Sequence, residues 1–222
     1  MSRFHEEKLK CPSCGKSNKF TMWESVNTKM DPELKEKVFS GDLFKFKCSK
    51  CGEETSVNYD FLYHIMEDSM MIHYAPTEES AKKTLDFFFG DGMNMVTDVL
   101  GELETEYKHR IVPSMNELRE KALIFEEGLD DRTLEICKCM FFPNLYEQAQ
   151  ADLEYSLFYV DDEGEWHIEF RFENGAMAAP TLTRDMYDEI HEIFSKIYSD
   201  DPKDNVFIDM EWALDVMKAV KK

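Results

Sequence analysis

Two stretches constrain this chain more than anything else in it: Cys11-Pro-Ser-Cys14-Gly15 and Cys48-Ser-Lys-Cys51-Gly52, with 33 residues between Cys14 and Cys48. A two-residue spacer lets both sulfurs of a Cys-x-x-Cys face one ion. The glycine that follows tolerates positive φ, so backbone N–H groups can turn toward the sulfurs. Two such knuckles predict a closed shell of four thiolates, Cys11, Cys14, Cys48 and Cys51, around one Zn²⁺ of the structural type with no open position. Iron also suits four thiolates, so spacing alone leaves the metal open. Disulfides are the competing use of these cysteines. The charged start, Met1-Ser-Arg-Phe-His-Glu-Glu-Lys, carries no apolar stretch of the kind that directs secretion, which argues against them. The expected compartment is the cytoplasm. No run approaches the ~18 apolar residues of a membrane span.

Charge divides the chain. Its net value is −20, yet residues 1–56 hold 11 Lys/Arg against 9 Asp/Glu, and the remainder holds 15 against 37. A near-neutral metal module therefore precedes a strongly acidic body that repels phosphate backbones, which argues against nucleic-acid binding by the whole protein. With 43% hydrophobic residues, 17 Phe and 14 Met, the chain is a folded protein rather than a disordered acidic tail.

The punctuation between the knuckles predicts a zinc ribbon with a helical insertion. Lys19–Asn27 reads as a strand. Asp31, Pro32 and Gly41 frame a helix that buries Leu34 and Val38. Leu43–Lys47 and Glu53–Tyr59 read as strands beside the second knuckle. Beyond it, Phe61–His64 reads as a short connection and Ser69–Tyr74 as a strand. Thr77 opens a helix carrying Ala81, Leu85 and Phe88, and Met93–Glu106 leans helical. Tyr107–Val112 alternates as a strand.

Ser114 and Glu117 form a capping box, and Asp130 or Asp131 caps a second helix, Arg132 to Phe142. Leu157–Val160 and Trp166–Phe172 form a hairpin, with a further turn at Asn174-Gly175. Thr183 caps a helix burying Tyr187, Ile190, Phe194 and Ile197. Val206–Met210 reads as a strand before a last helix. The expected fold is α+β: a zinc-ribbon module over residues 1–75 and an acidic α+β domain with an αα-hairpin and a C-terminal β-hairpin over 76–222.

The knuckles, the segment Asp31-Pro-Glu-Leu-Lys-Glu-Lys-Val-Phe-Ser-Gly41, and Phe46-Lys-Cys48-Ser-Lys-Cys51-Gly52 resemble the CpXC-domain proteins of bacteria and archaea. So do Phe61-Leu-Tyr63-His64, Met71-Ile-His-Tyr74, Arg110-Ile-Val112, Asn116–Phe125 and Glu127-Gly-Leu-Asp-Asp-Arg132. The resemblance covers about 130 residues and implies a four-cysteine zinc module, with no activity attached. One departure is visible: Ser49 stands where the second knuckle would carry proline. Proline is not a ligand, so ligation is expected to survive.

Other candidate sites have blander readings. Cys137 and Cys139 lie two apart on a helix, pointing roughly 200° away from each other, so they cannot share a metal. His64 and His73 could converge near the ribbon, but scattered histidines are more often structural. His191 beside Asp188 and Glu192 lacks a His-Glu-x-x-His partner. Asp161–Glu165 lacks the twelve-residue calcium loop, and no nucleophile elbow or phosphate loop is present. The leading expectation is a non-catalytic interaction module that binds a protein partner. The alternatives are nucleic-acid binding through Lys8, Lys10, Lys16, Lys19, Lys45, Lys47 and Lys50, an enzyme with a composite C-terminal site, and phosphate mimicry by the acidic face.

Overall fold

The computed structural model describes residues 2–90 and 107–220. Among them are six helices and three sheets in an α+β arrangement. The chain divides into two compact units, Met1–Leu118 and Arg119–Lys222.

The first unit is built on a five-stranded sheet, ordered β1 (Arg3–Lys10), β2 (Ser17–Asn27), β5 (Phe61–Ile65), β6 (Met70–Tyr74) and β7 (Lys108–Val112). β1 and β2 pair over the full length of β1, whereas β2 meets β5 only through Ser25–Asn27. Most of the β1–β2 hairpin therefore reaches beyond the body of the sheet. A separate small hairpin joins β3 (Lys45–Lys47) to β4 (Glu54–Ser56).

β5 and β6 bury Phe61, Tyr63, Ile65, Met70, Ile72 and Tyr74. This alternation marks β5 as a true strand where the sequence reads as a connection. β7 pairs parallel to β6, so the sheet extends past the 1–75 module expected from sequence. α1 (Glu33–Phe39) buries Leu34 and Val38 and is followed by Gly41 at φ 77°. Asp31 does not cap it; its Oδ2 accepts the Ser2 N–H at 3.0 Å, and Pro32 occupies the cap position. α2 (Glu78–Phe89) starts at Thr77, whose hydroxyl accepts the Ser80 N–H while the Ser80 side chain answers the Thr77 N–H. The expected helix over Met93–Glu106 lies outside the described residues.

The unit division falls inside α3 (Met115–Glu126), whose first turn is held by the Ser114 hydroxyl accepting the Glu117 N–H. In the second unit α4 (Asp131–Ala149) follows Asp130, which accepts the Arg132 N–H. α4 does not stop at Phe142. It runs on through Pro143, because Leu145 and Ala149 pack on the core and offset a helix penalty of about 3 kcal/mol.

β8 (Leu153–Val160), β9 (Trp166–Phe172) and β10 (Met177–Ala178) form an antiparallel sheet. Trp166, Ile168, Phe170 and Phe172 all face inward as expected. Thr183 caps α5 (Arg184–Phe194), but Ile197 falls in a following 3-10 turn and is exposed. Val206–Met210 is not a strand. The Asn205 amide donates to the carbonyls of Ser199 and Asp201, folding the segment into a turn that plugs Val206 and Ile208 into the interior. Asp209 then caps α6 (Met210–Val220) through the Trp212 N–H.

Charge is also found in the interior of this unit. Glu120, Lys121, Asp131, Glu135 and Lys138 are at most 3% exposed. Lys138 Nζ bridges Glu120 Oε1 at 2.7 Å and Glu135 Oε1 at 2.9 Å. Lys121 Nζ bridges the same Glu135 oxygen at 2.9 Å and Asp131 at 3.4 Å. Glu120 Oε1 also accepts the Phe158 N–H at 2.6 Å, tying α3 and α4 to β8. Each ion in this chain has a counter-ion, as burial of charge demands.

Candidate metal centre

Each knuckle is the turn of a hairpin. β1 and β2 close at the pair Lys10–Ser17, and β3 and β4 close at Lys47–Glu54. Between them the backbone makes the same two bonds twice. Cys11 N–H donates to Lys16 O at 2.9 Å and Gly15 N–H to Cys11 O at 3.0 Å; Cys48 N–H donates to Glu53 O at 2.8 Å and Gly52 N–H to Cys48 O at 3.0 Å. Gly15 and Gly52 take φ of 68° and 76°, and a Cβ on either would touch nothing. Glycine is required there for its conformation and not for space.

The two turns bring all four sulfurs within 4.8 Å of one another. Two pairs cross between knuckles, Cys11–Cys51 and Cys14–Cys48, each at 3.6 Å. A tetrahedron of sulfurs 2.3 Å from zinc has edges of about 3.8 Å, so this set fits a thiolate-bound ion. It does not fit a disulfide, which needs about 2.04 Å, and all six cysteines are free.

Backbone donors serve the sulfurs. Lys50 N–H reaches Cys48 Sγ at 3.4 Å, and the N–H groups of Cys51 and Lys50 together pull the Cys48 thiol down to about 6. Cys11 and Cys48 are buried with Phe20 and Phe46 in a small cluster, while Cys51 is exposed. The second knuckle is stitched to the first by Asn18, whose Oδ1 accepts both the Ser49 N–H at 2.9 Å and the Ser49 hydroxyl at 2.6 Å. A proline at this position would remove that N–H, so the serine departure makes a bond of its own.

The seven ribbon lysines are not equivalent. Lys19, Lys45 and Lys47 are paired with Glu6, Asp42 and Glu54 at 2.6–2.7 Å, which leaves Lys8, Lys10, Lys16 and Lys50 as exposed charges.

The remaining sequence candidates separate from the cysteines. Cys137 and Cys139 are buried in the core of the second unit, and burial pushes both thiols up to about 12. Asp130 caps α4, and Asp131 belongs to the buried ion chain. Asp161 holds its own turn, accepting the N–H groups of Glu163 and Glu165 and facing His167 at 3.0 Å. His191 Nδ1 lies 2.9 Å from the Thr133 hydroxyl. His64 and His73 sit on β5 and β6, apart from the cysteine cluster. Among the described residues, the four cysteines are the one group of three or more Cys, His, Asp or Glu placed to share an ion. Of the buried ion chain, the sequence singles out only Asp131, as a candidate helix cap, a place that Asp130 takes.

A model of the CpXC protein family matches residues 9–138. The chain belongs to the CpXC family. The CpXC match takes in both knuckles and everything through Lys138, the last member of the buried ion chain. No curated protein and no solved structure matches the chain. Among the described residues, no helix is long and apolar enough to cross a membrane.

Proposed function

We propose that Cys11, Cys14, Cys48 and Cys51 hold one zinc ion in a closed, structural site, and that this CpXC protein is a non-catalytic, protein-binding zinc ribbon. The observation that carries the reading is the duplicated knuckle, which sets sulfurs of opposite knuckles 3.6 Å apart. Four thiolates complete the coordination and leave no position for a substrate. The cluster under the metal is small, with Cys11, Phe20, Phe46 and Cys48 as its buried members, so the ion supplies stability that burial of apolar surface does not.

The ribbon would lie within residues 1–75, with the acidic body beyond it. The protein partner would meet the ribbon edge. β1 is the outermost strand of its sheet and is exposed along nearly all its length, and such an edge pairs with an extended segment of another chain. Nucleic acid is disfavoured by the three neutralised lysines and by the acidic body. A salt-sensitive mobility shift that vanishes on replacing Lys8, Lys10, Lys16 and Lys50 would reverse that judgement.

Native mass spectrometry of protein purified without added metal tests the site. One zinc with the loss of two protons per pair of thiols is expected. Cys48→Ser should lose the ion and unfold the two knuckle hairpins while leaving β8–β9 intact. A wild-type-like spectrum for the ribbon in that variant would end the proposal.

A further inference from the structure

The free side of β1 carries a pattern that is complementary to itself. Cys11 donates its N–H to Lys16 O, and the pairs from Lys10–Ser17 to Phe4–Trp23 follow in unbroken antiparallel register. Backbone bonding alternates along such a pair, so His5, Glu7 and Leu9 turn their N–H and C=O groups toward β2. Phe4, Glu6, Lys8 and Lys10 turn theirs away from it. Among the described residues β1 has a neighbour strand on one side only, and all four of these side chains are exposed.

An open edge pairs by exchanging backbone bonds with another extended segment, and its side chains decide which segment. Two edges of the same sequence, set antiparallel about a two-fold axis, meet outward residue to outward residue. With the axis through Glu7, the pairs are Phe4–Lys10, Glu6–Lys8, Lys8–Glu6 and Lys10–Phe4. Every outward residue then has a partner, wholly within Arg3–Lys10. The neighbouring registers are poorer. A shift of two residues one way sets Lys8 against Lys8 and Phe4 against Pro12, which has no N–H to give. The opposite shift sets Glu6 against Glu6 and Lys10 against Ser2, whose N–H is held by Asp31 at 3.0 Å.

Side chains favour the central register. Opposite charges directly across a ladder stabilise it. Lys8 is an exposed charge in no ion pair among the described residues. Glu6 holds Lys19 through Oε2 at 2.7 Å, which leaves Oε1 for the ammonium of the second copy's Lys8. Phe4 packs on Trp23 with ring centroids 4.9 Å apart and is still 58% exposed. The second copy's Lys10 would lay its stem over that ring. The one like-charged contact is Glu7 against its own copy on the axis. We propose, building on the reading of β1 as the binding edge, that its partner is a second copy of this chain, joined β1 to β1 through reciprocal Glu6–Lys8 pairs.

Sedimentation velocity of the zinc-loaded full chain tests this. Salt of ~0.15 M limits the repulsion between the two chains to about 8 Å, since each carries a net charge of −20. A reversible dimer is expected, with a Kd of about 1–100 µM. Lys8→Glu sets carboxylate against carboxylate twice, and Glu6→Lys sets ammonium against ammonium twice. Each variant alone should associate at least tenfold more weakly. Mixed, the two should recover a heterodimer, because both cross-strand ion pairs are then restored. Native mass spectrometry with one variant isotope-labelled separates that heterodimer from either parent. Glu7→Gln removes the contact on the axis and should tighten the dimer about threefold.

All three positions are exposed, and zinc in each measured mass reports an intact ribbon. A zinc-loaded chain that stays monomeric at ~0.5 mM, single variants that dimerise like wild type, or a mixture no better than its parents would overturn self-pairing alone. A chain that holds no zinc would overturn the ribbon reading and this proposal with it.

Discussion

Replacing Lys138 by methionine isolates what the buried ion chain contributes. Its ammonium is the shared counter-ion of Glu120 and Glu135, at 2.7 and 2.9 Å, with all three side chains at most 3% exposed. Methionine fills a similar volume without the charge. Glu135 retains Lys121 at 2.9 Å, but Glu120 keeps only the Phe158 N–H. Removing one partner of a buried pair typically costs about 3–5 kcal/mol.

With a urea dependence of about 2 kcal/mol per molar, the midpoint of the second unit should drop by roughly 1.5–2.5 M. Burial already raises the Glu120 carboxyl above its ordinary value, with Lys138 opposing it. In the variant that opposition is gone, so folding takes up a proton at Glu120. A raised folded-state value contributes stability at low pH that is lost as pH rises. The deficit should therefore be smallest near pH 4.5 and grow toward neutrality. Adding Glu120→Gln, which keeps an acceptor for Phe158, should recover much of the loss. A Lys138→Met chain within about 1 kcal/mol of wild type at pH 7 would refute the reasoning, because pairs that cheap to break are solvated.

Three further outcomes follow from the geometry. Gly52→Ala must hold a φ of 76° with a Cβ, at a cost of about 1–2 kcal/mol; zinc affinity by chelator competition should fall roughly tenfold with no change of fold. Thiol labelling of metal-stripped protein should modify four cysteines quickly and two only on global unfolding, since burial pushes Cys137 and Cys139 up to about 12; six fast thiols would contradict the core placement. His73 and His109 are held neutral by burial, near 3 and 4. Unfolding lets them protonate near 6.5, so the first unit should lose stability as pH falls from 6.5 toward 4. Each histidine contributes about 1.4 kcal/mol per pH unit, and His109→Phe should flatten that slope in denaturation curves.

Local chemistry explains which features the sequence disclosed. The cysteine spacing, the caps at Thr77, Ser114, Asp130 and Thr183, and the alternation of Trp166–Phe172 are each written within a few consecutive residues, and each formed. β1 was invisible because Arg3-Phe-His-Glu-Glu-Lys-Leu-Lys10 is exposed on both faces and so carries no apolar period. Val206 and Ile208 suggested a strand because β-branched residues do; here they are plugs behind a turn closed by Asn205. The ion chain needed the αα-hairpin to exist first. Glu120 and Lys138 are 18 positions apart, and each alone looks like an ordinary surface charge. The contact of His73 with His109 escaped for the same reason, since register between strands is not a local property.

The Asn18–Ser49 clasp has a consequence for metal capture. It joins the two half-sites by hydrogen bonds that do not involve the ion. An ion held by either pair of thiolates would then meet the second pair at a high effective concentration, without closing the 33-residue gap between Cys14 and Cys48 anew. Loading would approach a single kinetic step. Release would be followed by recapture more often than by escape, and Ser49 would show itself in the off-rate of the ion.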